Sequence, residues 1–216
     1  LGFFCMNSAH RLLLVGTESA AQSPPHPSFA PWYLTQVLVA YTEQYHAGSD
    51  PSLSIVSLKA GVDLTSLWQQ VSRSDRSAET DWVLIQSEES FAAPLWADTT
   101  VADLAWDWRL ATVLLVPLSP QTISQTIAYT ALARQSRCPL KGVLWVAHDQ
   151  QDWNDRFELA PPHLLHPFTQ VPFLGTLPPW NANASRAELA QLASDLELES
   201  FFSYRLPRPQ ALPLSA

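Results

Sequence analysis

Lysine is almost missing from this chain of 216 residues: Lys59 and Lys141 stand beside ten arginines, and no run of basic residues exists. Twenty acidic residues against 12 basic ones give a formal net charge of -8. That balance excludes a sequence-independent grip on nucleic acid, which needs clustered Lys and Arg to neutralise phosphates, and attraction to an anionic membrane surface. Cysteine is scarce too. Cys5 and Cys138 are too few for a disulfide framework and show no metal-ligand spacing, which points to a reducing compartment, the cytoplasm. None of the six glycines forms G-x-S-x-G, so there is no nucleophile elbow. No apolar stretch reaches the roughly 18 residues of a transmembrane helix. Met6 is the only methionine and reads as the initiator, with residues 1–5 set aside as upstream sequence rather than a signal peptide.

What is present suits a core: 47% of residues are hydrophobic, enough for one large domain. Apolar runs recur at spacings that predict alternating strands and helices. Strands are expected at 12–15, 53–58, 82–85, 112–116, 140–147 and 171–177. Helices are expected at 29–45, at 64–71, from a Thr99 or Thr100 cap with Asp103 in the first turn through Trp108, from Ser119-Pro120 through about Gln135, and from a Ser185 cap through about Phe202. In the last, Leu189, Leu192, Ala193, Leu196 and Phe201 share one face. The polar stretch 72–81 reads as an exposed connection. Continuous apolar strands fit a parallel sheet covered on both faces. The fold class is therefore α/β, a single doubly wound, mostly parallel sheet spanning 6–205, followed by a Pro-rich tail at 206–216.

The first strand runs into "GTESAAQSP", Gly16 to Pro24; later come "LKAGVD" after the second strand, "QSEES" after the third, and "VPFLGTLP", Val171 to Pro178. The order of these pieces, with "DLAWDW" and "PLKGVLWVAHD" between them, resembles the dethiobiotin synthetase family, ATP-dependent P-loop enzymes of biotin synthesis. The resemblance runs from about His10 to Phe202. It implies a P-loop NTPase-like fold and a homodimer built across the ligand crevice. The family's first loop is similar to GTDTxVGKT. Against it Gly16 and Thr17 match, Glu18 and Ser19 are near matches, and Gln22, Ser23 and Pro24 stand where Gly, Lys and Thr would be. A phosphate loop aims successive backbone N–H groups at anionic oxygens, with Lys on the β and γ phosphates and a hydroxyl on Mg²⁺. Pro24, Pro25 and Pro27 have no N–H to aim.

Elsewhere the family's KPxxTG is matched only by Lys59, with Gly61 nearer than expected. The acid-glycine turn, similar to EGAGG, falls on Gln86, Ser87, Glu88, Glu89 and Ser90, where Glu88 or Glu89 is the candidate replacement for a metal carboxylate. Its Asn-His pair falls on Ser124-Gln125, and the Asn linked to base recognition falls on Ala147 or His148. Lys141 lies before the fifth strand, at the wrong end to help, and a Gly is expected just ahead of that strand.

Other chemistry is thin. His163 and His166 lack a third ligand and read as loop histidines; the acids and His148 of 148–158 read as a solvated connection; Cys138 reads as a partly buried thiol. Of nine tryptophans, Trp82, Trp106 and Trp145 fit the core, whereas Trp32, Trp68, Trp96, Trp108, Trp153 and Trp180 fall in or beside loops and short helices, where they could anchor an interface. The leading expectation is a dethiobiotin-synthetase-like pseudoenzyme, with Gly16, Thr17, Glu18 and Ser19 as a vestigial nucleotide loop, no cofactor, no metal, and a homodimeric or heteromeric protein partner. The alternative is an active enzyme using ATP and Mg²⁺ with Lys59 catalytic. A third is a small-molecule sensor without turnover.

Overall fold

The inner strands form where apolar residues are continuous because both of their faces are buried. In the computed structural model, which describes residues 10–18, 29–45, 53–76, 82–96 and 98–197, the chain runs β1 (His10–Gly16), α1 (Phe29–Tyr45), β2 (Leu53–Leu58), α2 (Leu64–Arg76), β3 (Trp82–Ser87), β4 (Pro94–Trp96), β5 (Thr99–Thr100) and α3 (Val101–Asp107). It continues with β6 (Ala111–Pro117), α4 (Thr122–Gln135), β7 (Leu140–Val146), α5 (Gln150–Asn154), α6 (Arg156–Leu159), α7 (Leu165–Thr169), β8 (Phe173–Leu177) and α8 (Arg186–Ser194). Six strands pair in the order β2-β3-β1-β6-β7-β8, every pairing parallel. Leu13 and Val15 enter one core with Val83, Ile85, Leu114, Val143 and Trp145, while Leu12 and Leu14 enter the other with Leu84, Val113, Leu115 and Leu144. That alternation is the period of two of a strand with no solvent face.

Connection direction decides which helix covers which face. Only the β1-to-β2 connection steps backward across β3; the others step forward, and right-handed crossovers send the two kinds to opposite faces. Accordingly Tyr33, Leu34, Val37 and Leu38 of α1 share a core with Leu189, Ala190 and Ala193 of α8, while α2, α3, α4 and α7 fill the other with Leu67, Val101, Ala133 and Leu165.

Both expected caps are present. Thr100 Oγ1 accepts from the Asp103 N–H at 3.2 Å, and the Asp103 carboxylate accepts from the Thr100 hydroxyl at 2.6 Å and from the Thr100 N–H at 2.9 Å, bonds that hold that carboxyl below its ordinary range. Ser185 and Glu188 make the same box on α8, with Ser185 N–H to Glu188 Oε2 at 2.7 Å.

Several boundaries differ from the sequence reading. Helix α2 continues through Arg76 rather than stopping at Val71, and its buried side carries Leu67 and Val71. Helix α4 begins at Thr122, not Ser119: the Thr122 hydroxyl accepts from the Ser119 N–H at 2.7 Å and leaves Pro120 in a turn. Strand β8 starts at Phe173. Helix α8 stops at Ser194, and the chain doubles back so that the Glu197 N–H meets the Leu174 carbonyl at 2.9 Å; Phe201 and Phe202 lie outside the described residues. The β4–β5 hairpin and the short helices of 150–169 are additions. Residues 163–166, read as loop, form a 3-10 turn entering α7, which Arg134 ties to α4 through the Thr169 carbonyl at 3.0 Å.

Candidate functional site

In a sheet of this order ligands belong at the carboxyl ends of the strands where outgoing connections diverge, here above β1 and β3. The turn after β1 is fastened from three sides. The Phe91 N–H donates to the Gly16 carbonyl at 2.9 Å, the Thr17 N–H to the Leu115 carbonyl at 3.0 Å, and the Tyr129 hydroxyl to the Thr17 carbonyl at 2.7 Å. A side chain at Gly16 would press on the Glu18 carbonyl, 3.2 Å from a Cβ, so glycine suits this close turn. Thr17 is buried and Glu18 exposed. Ser19 and the prolines at 24, 25 and 27 lie outside the described residues.

Lys59 and the 86–90 turn meet because β2 and β3 are in parallel register. Ser57 lies opposite Gln86 and Leu58 opposite Ser87, so one further step sets Lys59 beside Glu88. The Gln86 amide donates to Ser57 Oγ at 3.0 Å, and Lys59 Nζ lies 2.9 Å from Glu88 Oε1. The lysine side chain is 60% exposed and the glutamate 20%. Glu89 reaches the next residue of the same segment, with Oε1 accepting from the Ala60 N–H at 3.3 Å, and the Ser87 hydroxyl closes the turn on the Glu89 carbonyl at 2.8 Å. The result is a two-rung ladder, one neutral and one ionic, across the strand ends.

Three buried oxygens around this region have no hydrogen-bond partner among the described residues: Thr17 Oγ1, Gln86 Oε1 and Gln125 Oε1. Ser124, beside Gln125, is exposed and donates to the Gln121 carbonyl of its own helix at 2.9 Å. At the end of β7, Ala147 is buried with its N–H on the Leu177 carbonyl at 3.0 Å, and exposed His148 gives its N–H to Asp152 Oδ2 at 3.3 Å. Lys141 sits at the far end of the sheet, as expected.

Among the described residues no group of three or more His, Cys, Asp or Glu is arranged to hold a metal ion, and no helix is long and apolar enough to cross a membrane. Cys138 is buried against the Thr112 hydroxyl at 3.2 Å, and burial pushes its thiol pKa up, so it is a poor nucleophile. Trp82 and Trp145 are core residues as expected. Trp106 is not: it is 45% exposed, because Val101, Ala102, Leu104 and Ala105 already fill the buried face of α3. Tyr129 escaped the sequence reading. Its available signal was a polar-tipped aromatic one turn from Gln125, on a helix whose Thr122, Thr126 and Thr130 are buried.

An aromatic trio sits near the mouth of α1, where Trp180 meets Trp32 and Tyr33 edge-on, each at 5.0 Å. Burial pushes the Tyr33 phenol up to about 12. Its ionised form is therefore favoured only in the unfolded chain between pH 10 and 12, and stability falls as pH rises through that window. Thermal denaturation at stepped pH should show a steeper alkaline loss in the native protein than in Tyr33→Phe; equal slopes would count against it.

A family model described as an AAA domain matches residues 44–186. The ATP-dependent dethiobiotin synthetase BioD of Crocosphaera subtropica is 31% identical over 169 residues, covering 78% of this chain and 76% of that protein. The protein of the same name from Gloeothece citriformis is 34% identical over 144 residues, 64% of this chain and 60% of its own length. That from Gloeobacter violaceus is 31% identical over 156 residues, 72% and 67%.

Proposed function

The chain belongs to the dethiobiotin synthetase family of P-loop proteins, and from that premise we propose that it keeps the scaffold without ATP-dependent chemistry and works as a non-catalytic protein-binding or assembly partner. The carrying observation is the ladder across β2 and β3. Lys59, the one family cation matched, is held by Glu88 at 2.9 Å. Where the resemblance puts a metal-binding acid, the neutral amide of Gln86 is bonded to Ser57. The Thr17 N–H is spent on Leu115, and three prolines in the following segment offer no N–H to a phosphate. These residues do not fit Mg²⁺-ATP, which needs aimed N–H groups, a lysine directed at the phosphates and an anionic metal ligand. The reading includes a cytoplasmic setting and a partner across the crevice, a second copy or a different chain.

Calorimetric titration with Mg²⁺-ATP, beside Lys59→Ala, tests it. No heat and no thermal stabilisation are expected from either protein. Nucleotide binding abolished in Lys59→Ala, or ring closure of a diamino acid with ADP release, overturns it. The identity to enzymes named dethiobiotin synthetase favours the second reading, an active enzyme of biotin synthesis, and that outcome would install it.

A further inference from the structure

Because every strand of the sheet runs the same way, the strand starts share a rim opposite the crevice. Arg11, at the start of β1, carries its guanidinium 5.1 Å from the Trp68 ring, and Trp68 meets Trp108 edge-on at 4.9 Å. Arg109 follows Trp108 on the way into β6; Arg137 leads into β7 and lies 6.0 Å from the Trp106 ring. Trp68 and Trp106 are 40% and 45% exposed, unusual for side chains of that size. Arg109 and Arg137 have no ion-pair partner among the described residues, although Asp107 shares the rim. Neither arginine hangs from a loose loop. Both occupy left-handed helix stops, φ 52 and 56, locked by Leu110 N–H to the Ala105 carbonyl at 2.9 Å and Cys138 N–H to the Ala133 carbonyl at 2.8 Å. The opposite end carries Glu18, Asp63, Glu88 and Glu89, where Lys59 is already paired with Glu88, whereas the rim brings exposed Arg109 and Arg137 together with two exposed indoles.

We propose that this rim docks an acidic segment of a partner protein bearing aromatic or aliphatic side chains. The statement rests on the protein-binding reading and adds its face and its chemistry. Charge complementarity selects an anionic partner, and indoles interleaved with guanidinium groups supply the apolar anchors that concentrate interface energy. A nucleic acid would meet few cations on a chain of net charge -8.

The probe is a random copolymer of glutamate and tyrosine, titrated against the full chain by tryptophan fluorescence and calorimetry, with poly(U) in parallel. Saturable copolymer binding that weakens as ionic strength rises is expected. Arg109→Glu with Arg137→Glu should weaken it roughly tenfold or more, Trp106→Ala should weaken it also, and Lys59→Ala should leave it unchanged. All three rim positions are exposed, and circular dichroism and melting confirm that the variants fold. No saturable binding, equal affinity in the charge-reversed variant, or tighter binding of poly(U) overturns the proposal. Salt-sensitive self-association lost in that variant, without copolymer binding, overturns it in favour of a second copy. ADP production would remove the non-catalytic reading while leaving the rim result to stand or fall by itself.

Discussion

Replacing Phe91 with alanine is expected to lower the unfolding free energy by about 3–5 kcal/mol, with consequences that reach the crevice. The side chain is fully buried, in a core shared with Val15, Ile85, Leu95 and Ala102. Its backbone joins β1 to α3: the N–H holds the Gly16 carbonyl at 2.9 Å, and the carbonyl accepts from the Ala102 N–H at 3.1 Å at the start of α3. Alanine keeps those bonds but removes the ring that fixes the 88–93 turn over the core, and the interior cannot collapse fully into the void. The same turn delivers Glu88 to Lys59. Urea denaturation followed by tryptophan fluorescence measures the loss. A cost below about 1 kcal/mol would mean that the turn is held by its hydrogen bonds alone.

How much of this was legible follows from which forces act locally. The strands at 82–87 and 111–117 announce themselves because a doubly covered parallel strand must be apolar at consecutive positions. Thr100 with Asp103 and Ser185 with Glu188 are legible for a similar reason, since a capping box is complete within four residues. The far end of helix α2 is not legible because no apolar residue follows Leu67 and Val71 to continue the buried stripe. The one-turn helices of 150–169 have too few residues to show a period. Residue type alone points Trp106 inward, whereas the orientation of α3 turns it outward.

The crevice was half legible for the same reason. Gly16, Thr17, Lys59 and Gln86 could be found by order along the chain. Their partners could not. The Lys59–Glu88 pair and the Gln86–Ser57 bond each span 29 residues and depend on the register of β2 against β3. Tyr129 reaches the Thr17 carbonyl across 112 residues. Whether a cation near a phosphate loop is available or already paired is a property of register, which a one-residue slip would reverse.

Gly142 carries the other large expected effect. Gly142, the glycine that the resemblance led to, lies inside the strand expected at 140–147 and observed as β7, third of seven residues, where glycine weakens a strand unless another group occupies its side-chain space. That group is Leu174 of β8: a Cβ at Gly142 would come within 2.5 Å of Leu174 Cγ and Cδ1 and 2.7 Å of Cδ2. Leu174 is fully buried and leans over the edge of β7 into the core that α1 and α8 cover. Gly142→Val should cost about 3 kcal/mol or more, the upper range of overpacking, because Cγ as well as the methyl ends must move. The cause is separable from β-propensity, which favours valine. If the clash is responsible, Gly142→Val with Leu174→Ala should be less destabilised than the sum of the two single variants by about 1–3 kcal/mol. Additive costs would show instead that valine disturbs the backbone of β7, and that the glycine serves the register shift between β7 and β8 rather than the space for leucine.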